Sequence, residues 1–212
     1  MRGFITDPAA PGGLRLVDDL PEPGPAPHEL LLEVRAFGVN RGELFLLRQR
    51  PDGWRPGQDV AGVVVRAAAD GSGPAVGERV VGVVDGAGWS ERVPVPTNWA
   101  ALLPQIVSFA QGASLPIAGL TALRALRVGS PVLGRRVLVT GAMGGVGQFA
   151  VQLAVFSGAW VTALIHSPED EEEVRALGAH EVVTSLDDAS LGPFELVLEA
   201  VGGSVLQDAV HR

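Results

Sequence analysis

The stretch "RRVLVTGAMGGVGQFAVQLA", Arg135 to Ala154, runs from one apolar segment through a glycine cluster into another. The first segment is short, Val-rich and closed by glycine, which predicts a buried strand over Val137–Thr140. The second has helical spacing and predicts a helix over Gly145–Gly158, with Val146, Phe149, Ala150, Leu153 and Ala154 on one stripe and Gln148 and Gln152 off it. Between them lies Gly141-Ala142-Met143-Gly144-Gly145-Val146-Gly147. A strand-to-helix turn that binds a dinucleotide must be tight, must bring backbone close to a pyrophosphate, and must let the helix sit close to the sheet. On the pattern G-x-G-x-x-G the three positions are Ala142, Gly144 and Gly147, so the turn predicts a nucleotide site; a tight turn that binds nothing is the alternative.

Outward from this turn the chain divides. On the C-terminal side strands and helices alternate, with strands expected at Trp160–Ile165, Glu181–Thr184 and Leu196–Glu199 and a helix over Glu169–Leu177. Five consecutive acids open that helix, where the positive end of its dipole favours them, and only Val174 and Leu177 face a core. On the N-terminal side, Glu29–Asn40, Val60–Ala69, Glu78–Val84 and Ser90–Pro96 are short Val-rich runs parted by Gly, Pro and Asp, the pattern of a small barrel or sandwich. Asp7–Gly13 and Pro21–Pro27 read as loops, and Thr121–Gly129 has helical spacing.

Missing residue types exclude whole chemistries. Cys and Tyr are both zero, and all 16 basic residues are Arg, so Lys is absent too. That removes disulfides, Cys-ligated zinc, thiolate nucleophiles, the P-loop lysine and the Schiff-base lysine. His28, His166, His180 and His211 have no metal-ligand spacing among them. A net charge of −8 with no basic run argues against nucleic acid. No segment is apolar for long enough to span a membrane or to serve as a signal peptide, so the expected location is cytoplasmic. Any chemistry falls to a bound cofactor, neutral polar groups and carboxylates.

About 20 residues past the glycines, an NAD-preferring site carries an acid at the end of the second strand. Ile165-His166-Ser167 stands there instead, and His166 and Ser167 tolerate a 2′-phosphate, which favours NADP over NAD; Glu169 and Asp170 just beyond oppose it.

The segments "GVNRGELFLLR", "RPGQDVAGVVV", "AVGERVVGVV", "SLPIAGLTALRAL", "VLVTGAMGGVGQFAVQLA", "LGAHEVV" and "ELVLEAVGG" follow one another in the order of a known family. Over almost its whole length the chain resembles the zinc-independent quinone-oxidoreductase-like branch of the medium-chain dehydrogenase/reductase superfamily. The resemblance implies a GroES-like β-barrel substrate domain, placed at residues 1–117, and a Rossmann α/β domain, placed at 118–212 and incomplete. It also implies hydride transfer from NADPH, without zinc, to a small-molecule quinone or conjugated carbonyl, and a homo-oligomer for the full-length protein. Asn40 falls where the family has an active-site asparagine, and Thr121 where it has the threonine near the nicotinamide. Gly144, Gly145 and Val146, with Gly147, fall on the pyrophosphate turn, and Val201 and Gly202 on the loop beyond the fourth strand that lies along the cofactor.

The departures from the family are specific. Gly57-Gln58-Asp59 replaces the G-H-E of zinc-dependent relatives, and Asp170 and Ser185 stand where quinone reductases carry a basic residue and a Tyr. Without metal, charge building on a substrate oxygen would be met by donors such as the Asn40 amide or water, and then by solvent protonation. An enoyl reductase of the same superfamily, and a non-catalytic relative acting as a binding or interaction protein, are the alternatives; a chain without Tyr lacks the usual proton donor of enoyl-thioester reductases.

A complete dinucleotide domain is expected to need roughly 60 further residues beyond "ELVLEAVGG". The chain is therefore expected to be C-terminally truncated, with Ser204 and Gln207 as the capping box of one more helix. On that expectation the fourth strand is an open edge, and the chain alone is aggregation-prone or partner-dependent, a weak cofactor binder and nearly inactive on quinones.

Overall fold

Val and Leu at every second position give the N-terminal strands one buried face, and these strands assemble into a five-stranded antiparallel sheet. The computed structural model describes residues 1–187 and 191–211, which form two compact units that divide between Ile117 and Ala118. The first unit opens with β1 (Gly3–Thr6) and β2 (Leu14–Val17), an antiparallel pair of their own. There follow β3 (Glu29–Phe37), α1 (Arg41–Leu46), β4 (Asp59–Arg66), β5 (Arg79–Val83), β6 (Arg92–Pro96), β7 (Ala100–Leu102) and α2 (Phe109–Ser114). The five-stranded order is β6-β3-β4-β5-β7.

Leu30, Leu32, Val60, Val64, Val80, Val93 and Val95 fill the core on one side of this sheet, and each such side chain contributes about 1.5–3 kcal/mol by leaving water. On the other side Ala113 of α2 packs with Ala61 and Leu103. At Gly62 the backbones of β3 and β4 leave no room for a side chain: a Cβ there would lie 2.0 Å from the Glu33 carbonyl oxygen.

In the second unit every strand is parallel. α3 (Pro116–Val128), which starts at the boundary, leads into β8 (Arg136–Thr140), α4 (Gly145–Phe156), β9 (Trp160–Leu164), α5 (Glu171–Ala176), β10 (Glu181–Val183), β11 (Leu196–Leu198) and α6 (Gly203–Val210). The sheet order is β10-β9-β8-β11, the 3-2-1-4 arrangement of a Rossmann half-sheet extended by one strand. Strands covered on both faces read as unbroken apolar runs. Val137, Val139, Val161 and Ala163 accordingly meet α3 and α4 on one side, while Leu138 and Leu164 meet Leu186 and Ala209 on the other.

Two expectations need correction. The fully buried stripe of α4 is Gly147, Ala150, Val151 and Ala154, with Val146, Phe149 and Leu153 only partly covered. The helix seats its smallest side chains at the i, i+3, i+4, i+7 positions, which lets it lie close to the sheet, and so the larger residues are displaced to its flanks. The last helix begins at Gly203, with Gly202 as its cap at φ 81°, so Ser204 lies inside the first turn and does not cap it. A glycine at positive φ takes the N-cap position that was expected of Ser204.

Candidate functional site

The glycines between β8 and α4 serve three different needs. Gly141 has φ +57°, a left-handed conformation that turns the chain as it leaves the strand. At Gly147 a Cβ would lie 2.2 Å from the Gly141 carbonyl oxygen and 2.8 Å from Ala142, so this glycine sets helix-to-strand distance. Gly144 and Gly145 answer to neither need. An added Cβ at Gly144 would meet only the Gly141 oxygen at 3.1 Å, and at Gly145 only the Ala118 Cβ at 3.8 Å. Gly144 is the N-cap residue of α4, with φ −70° and no side chain to cap the helix. Gly144 and Gly145 are exposed at the start of a twelve-residue helix, the end at which unpaired first-turn N–H groups suit an anion such as a pyrophosphate. Ala142, the first motif position, is fully buried in the core.

Strand order reverses between β8 and β11, and in open parallel sheets ligands bind at the carboxyl ends of the strands beside such a switch point. A cavity of about 540 Å³ lies there, with Thr121, Thr140, Val146, Gly147, Glu199 and Ala200 in its wall and apolar residues such as Val139, Ala150 and Leu196 completing it. Thr121, a sequence-predicted site residue, is thus brought to the same cavity as Val146 and Gly147.

Glu199 was not foreseen. Its Oε1 accepts the Thr140 hydroxyl at 3.1 Å, the Val201 N–H at 2.8 Å and the Gly202 N–H at 2.9 Å, while Thr140 Oγ1 accepts the Ala200 N–H at 3.0 Å. Burial alone would raise this carboxyl, but the bonds from Gly202, Val201 and Thr140 outweigh it and hold the group below its usual range. Val201 and Gly202 consequently form a loop whose N–H groups point back to Glu199, and what they offer outward is the half-exposed Val201 side chain. The signal in the sequence was an acid directly after an apolar strand and before Gly-Gly, a spacing that suits a side-chain-to-backbone turn.

Asn40 lies in the first unit, three residues past the end of β3, where it caps α1. Two carboxylates, Glu43 at 0% and Asp59 at 1% exposure, are buried against it. Glu43 Oε2 accepts the Asn40 backbone N–H at 2.7 Å and its Oε1 accepts the Gln58 N–H at 2.7 Å, so one acid ties α1 to the start of β4. Asp59 Oδ1 accepts the Ile117 N–H at 2.9 Å, and its Oδ2 accepts the Asn40 Nδ2–H at 2.7 Å; the same Nδ2 lies 3.4 Å from Glu43 Oε2. Burial pushes both carboxyls above their ordinary range, against the opposing effect of these bonds.

Glycines frame the cluster. A Cβ on Gly38 would sit 2.8 Å from Asp59 Cβ, and Gly57, at φ +106°, passes directly beneath Trp89, whose Nε1–H donates to the Gly38 carbonyl at 2.8 Å. The side-chain N–H groups of Asn40 are directed to Asp59 and Glu43. The Asn40–Glu43 spacing of a capping box was the available signal for half of this arrangement.

At the end of β9, His166 is exposed and Ser167 half-buried, followed by a 3₁₀ turn over Pro168–Asp170. No carboxylate occupies the strand end itself. Among the described residues, no three His, Asp or Glu side chains gather into a group that could hold a metal ion, and no helix is long and apolar enough to cross a membrane.

Comparison with known proteins agrees with this geometry. Residues 26–105 match the alcohol dehydrogenase GroES-like domain. The chain is 37% identical over 209 residues to the pikromycin polyketide synthase component PikAII of Streptomyces venezuelae, covering 95% of this chain and 5% of that protein. It is 36% identical over 180 residues to the quinone oxidoreductase of Pongo abelii, covering 81% of this chain and 54% of that protein, so it spans about half the length of this curated relative. Among solved structures, the quinone oxidoreductase of Thermus thermophilus, known also in complex with NADPH, superposes with a TM-score of 0.84 at 32% identity, covering 98% of this chain and 69% of that one. With the GroES-like unit, the 3-2-1-4 parallel sheet and the glycine turn in common order, the chain belongs to the quinone-oxidoreductase-like branch of the medium-chain dehydrogenase/reductase superfamily.

Proposed function

We propose that this chain carries the substrate unit and the cofactor turn of an NADPH-dependent oxidoreductase that reduces a quinone or another conjugated carbonyl. The observation that carries the reading is the open face at Gly144 and Gly145, left free beside a Gly147 that is closed by packing. In this reading Gly144, Gly145 and Val146 hold the pyrophosphate through the first-turn N–H groups of α4. Thr121 and the Val201–Gly202 loop border the nicotinamide end, and His166 and Ser167 lie by the adenosine ribose. NADPH, when bound, supplies the hydride. The chain's own contribution is positioning, in a cavity whose wall is mostly apolar.

The Asn40 amide N–H groups are committed to carboxylates, so solvent delivers the proton to the reduced oxygen. A quinone suits such a site, because its reduced form is a stabilised phenolate that needs no strong acid.

The preference for NADPH rests on the absence of an acid at the end of β9 and on the NADPH complex of the Thermus thermophilus relative. It is tested by thermal shift. Stabilisation grows from about 2.7 kcal/mol at 100 times Kd to about 4.1 kcal/mol at 1,000 times Kd, so at one shared concentration the more tightly bound NADPH is expected to raise Tm more than NADH. An equal or larger shift with NADH overturns the preference.

A second reading, reduction of an enoyl thioester, is favoured by the likeness to the structure of the CurK enoyl reductase, 25% identical with a TM-score of 0.88 over 99% of this chain. Turnover of a crotonyl thioester in preference to a quinone would select it.

A further inference from the structure

Three short segments of the first unit, at residues 2–4, 34–37 and 89–91, are tied together by their backbones. Phe4 N–H donates to the Trp89 oxygen at 2.9 Å, Glu91 N–H to the Arg2 oxygen at 3.0 Å and Val34 N–H to the Glu91 oxygen at 2.9 Å. A cavity of about 380 Å³ opens between them, within the span of roughly 300–1,000 Å³ common to small-molecule sites. One side of its wall is aromatic. The buried Trp89 ring lies 5.7 Å from Phe37 with the planes tilted by 31°, and 6.5 Å from Phe4, which meets it edge-on. The indole N–H is used on the Gly38 carbonyl, which fixes the ring and leaves it only apolar surface to offer. Phe37 and Leu16, both in the wall, are exposed.

The polar side of the wall has a sign. Arg2 and Arg35 stand there against one carboxylate, Glu91, in a chain whose net charge is −8. Arg2 Nε donates to Glu91 Oε1 at 2.8 Å, and Arg35 Nη2 to Glu33 Oε2 at 3.0 Å. Both pairs are exposed, so they orient the guanidinium groups while contributing little energy. The other side-chain N–H groups of these two arginines meet no acceptor among the described residues. Ser90, also in the wall, is backed by a third cation, because Arg55 Nη2 donates to its hydroxyl at 3.0 Å. Arg55 is half-buried, and among the described residues no carboxylate lies within ion-pair distance of it. A cation withdrawn from water is ordinarily offset by an anion.

We propose that this cavity binds an aromatic carboxylate, with its ring against Trp89 and Phe37 and its carboxylate on the unused N–H groups of Arg2 and Arg35. A guanidinium presents its donors in a planar fork that matches a carboxylate, and a wall of rings is best filled by another ring. A neutral arene leaves the excess positive charge unanswered, and an aliphatic acid leaves the ring contacts unmade. Every residue of the site belongs to the first unit, so it is independent of the cofactor turn.

The probe is 2-naphthoate, with 2-naphthalenemethanol as its uncharged counterpart, both added to the whole chain. In ¹⁵N-labelled protein the Trp89 indole N–H resonance is identified by its loss in Trp89→Phe or, should that variant not fold, as the indole signal displaced by Phe37→Ala. Naphthoate is expected to shift this resonance in a saturable way and to bind about tenfold more tightly than the alcohol. Arg2→Gln and Arg35→Gln change exposed side chains, and each should weaken naphthoate severalfold while leaving the alcohol as it was. Phe37→Ala should weaken both. Equal affinity for the acid and the alcohol, or naphthoate binding untouched by the two arginine changes together, would overturn the carboxylate assignment. Absence of any shift in the Trp89 resonance up to about 1 mM of either compound would overturn the site. None of these results bears on NADPH binding, which is read separately by thermal shift.

Discussion

Gly144→Asp is expected to lose about 100-fold or more in NADPH affinity while the protein stays as stable as the parent. The two effects have one cause. Gly144 occupies the N-cap of α4 with extended backbone, a conformation Asp adopts freely, and its Cβ would meet a single neighbour, the Gly141 oxygen at 3.1 Å, which need give by only a few tenths of an ångström. An Asp there accepts from the first-turn N–H groups, which is worth a few tenths of a kcal/mol over glycine at an N-cap. Those are the donors assigned to the pyrophosphate, so the new carboxylate both occupies them and repels the anion. Fluorescence titration with NADPH, beside a urea melt, measures both quantities. Parent-like affinity would mean that the turn has a purely structural purpose.

Three residues on, the balance reverses. Gly147→Ala adds one methyl group and is expected to destabilise by about 3 kcal/mol or more, because the Cβ would lie 2.2 Å from the Gly141 oxygen and 2.8 Å from the Ala142 backbone. No flexible side chain can move aside there, so either α4 lifts from β8 or the turn deforms. Lifting α4 also opens the contacts of Ala150, Val151 and Ala154 with the sheet. A urea melt of Gly147→Ala beside Gly144→Ala decides the matter: the first should fall well below the parent and the second should stay within about 1 kcal/mol of it. Equal stability of the two would refute the division of labour among the glycines.

That division was only partly legible in the sequence. The spacing placed the turn between β8 and α4, but nothing in a row of glycines distinguishes one that faces a carbonyl from one that faces open space. The alternating second unit and the four main strands of the first were readable because their apolar periods are long and regular. The six-residue helices α1 and α2 were missed, since fewer than two turns give no period to read. The strands β1 and β2 lay hidden beside Pro- and Gly-rich segments. Least readable was the pairing of Glu43 with Asp59. Acids are ordinarily solvated, and the contacts that bury these two through Asn40 bridge 19 residues of chain. Glu199 was hidden for the same reason, because its partners come from its own loop and from a strand 59 residues earlier.

The loop after β11 also has a consequence on the timescale of proton exchange. Ala200, Val201 and Gly202 belong to no strand or helix, yet each backbone N–H is bonded, the first to Thr140 and the other two to Glu199. Three successive loop amides should thus trade their protons for deuterium as slowly as those of a sheet. Because the Glu199 carboxyl is held below its usual range, the protection of Val201 and Gly202 persists through mild acid and fails only as the pH drops through that lowered value. The rim of the cavity would then loosen as a unit, while the strands beneath it still hold their protons.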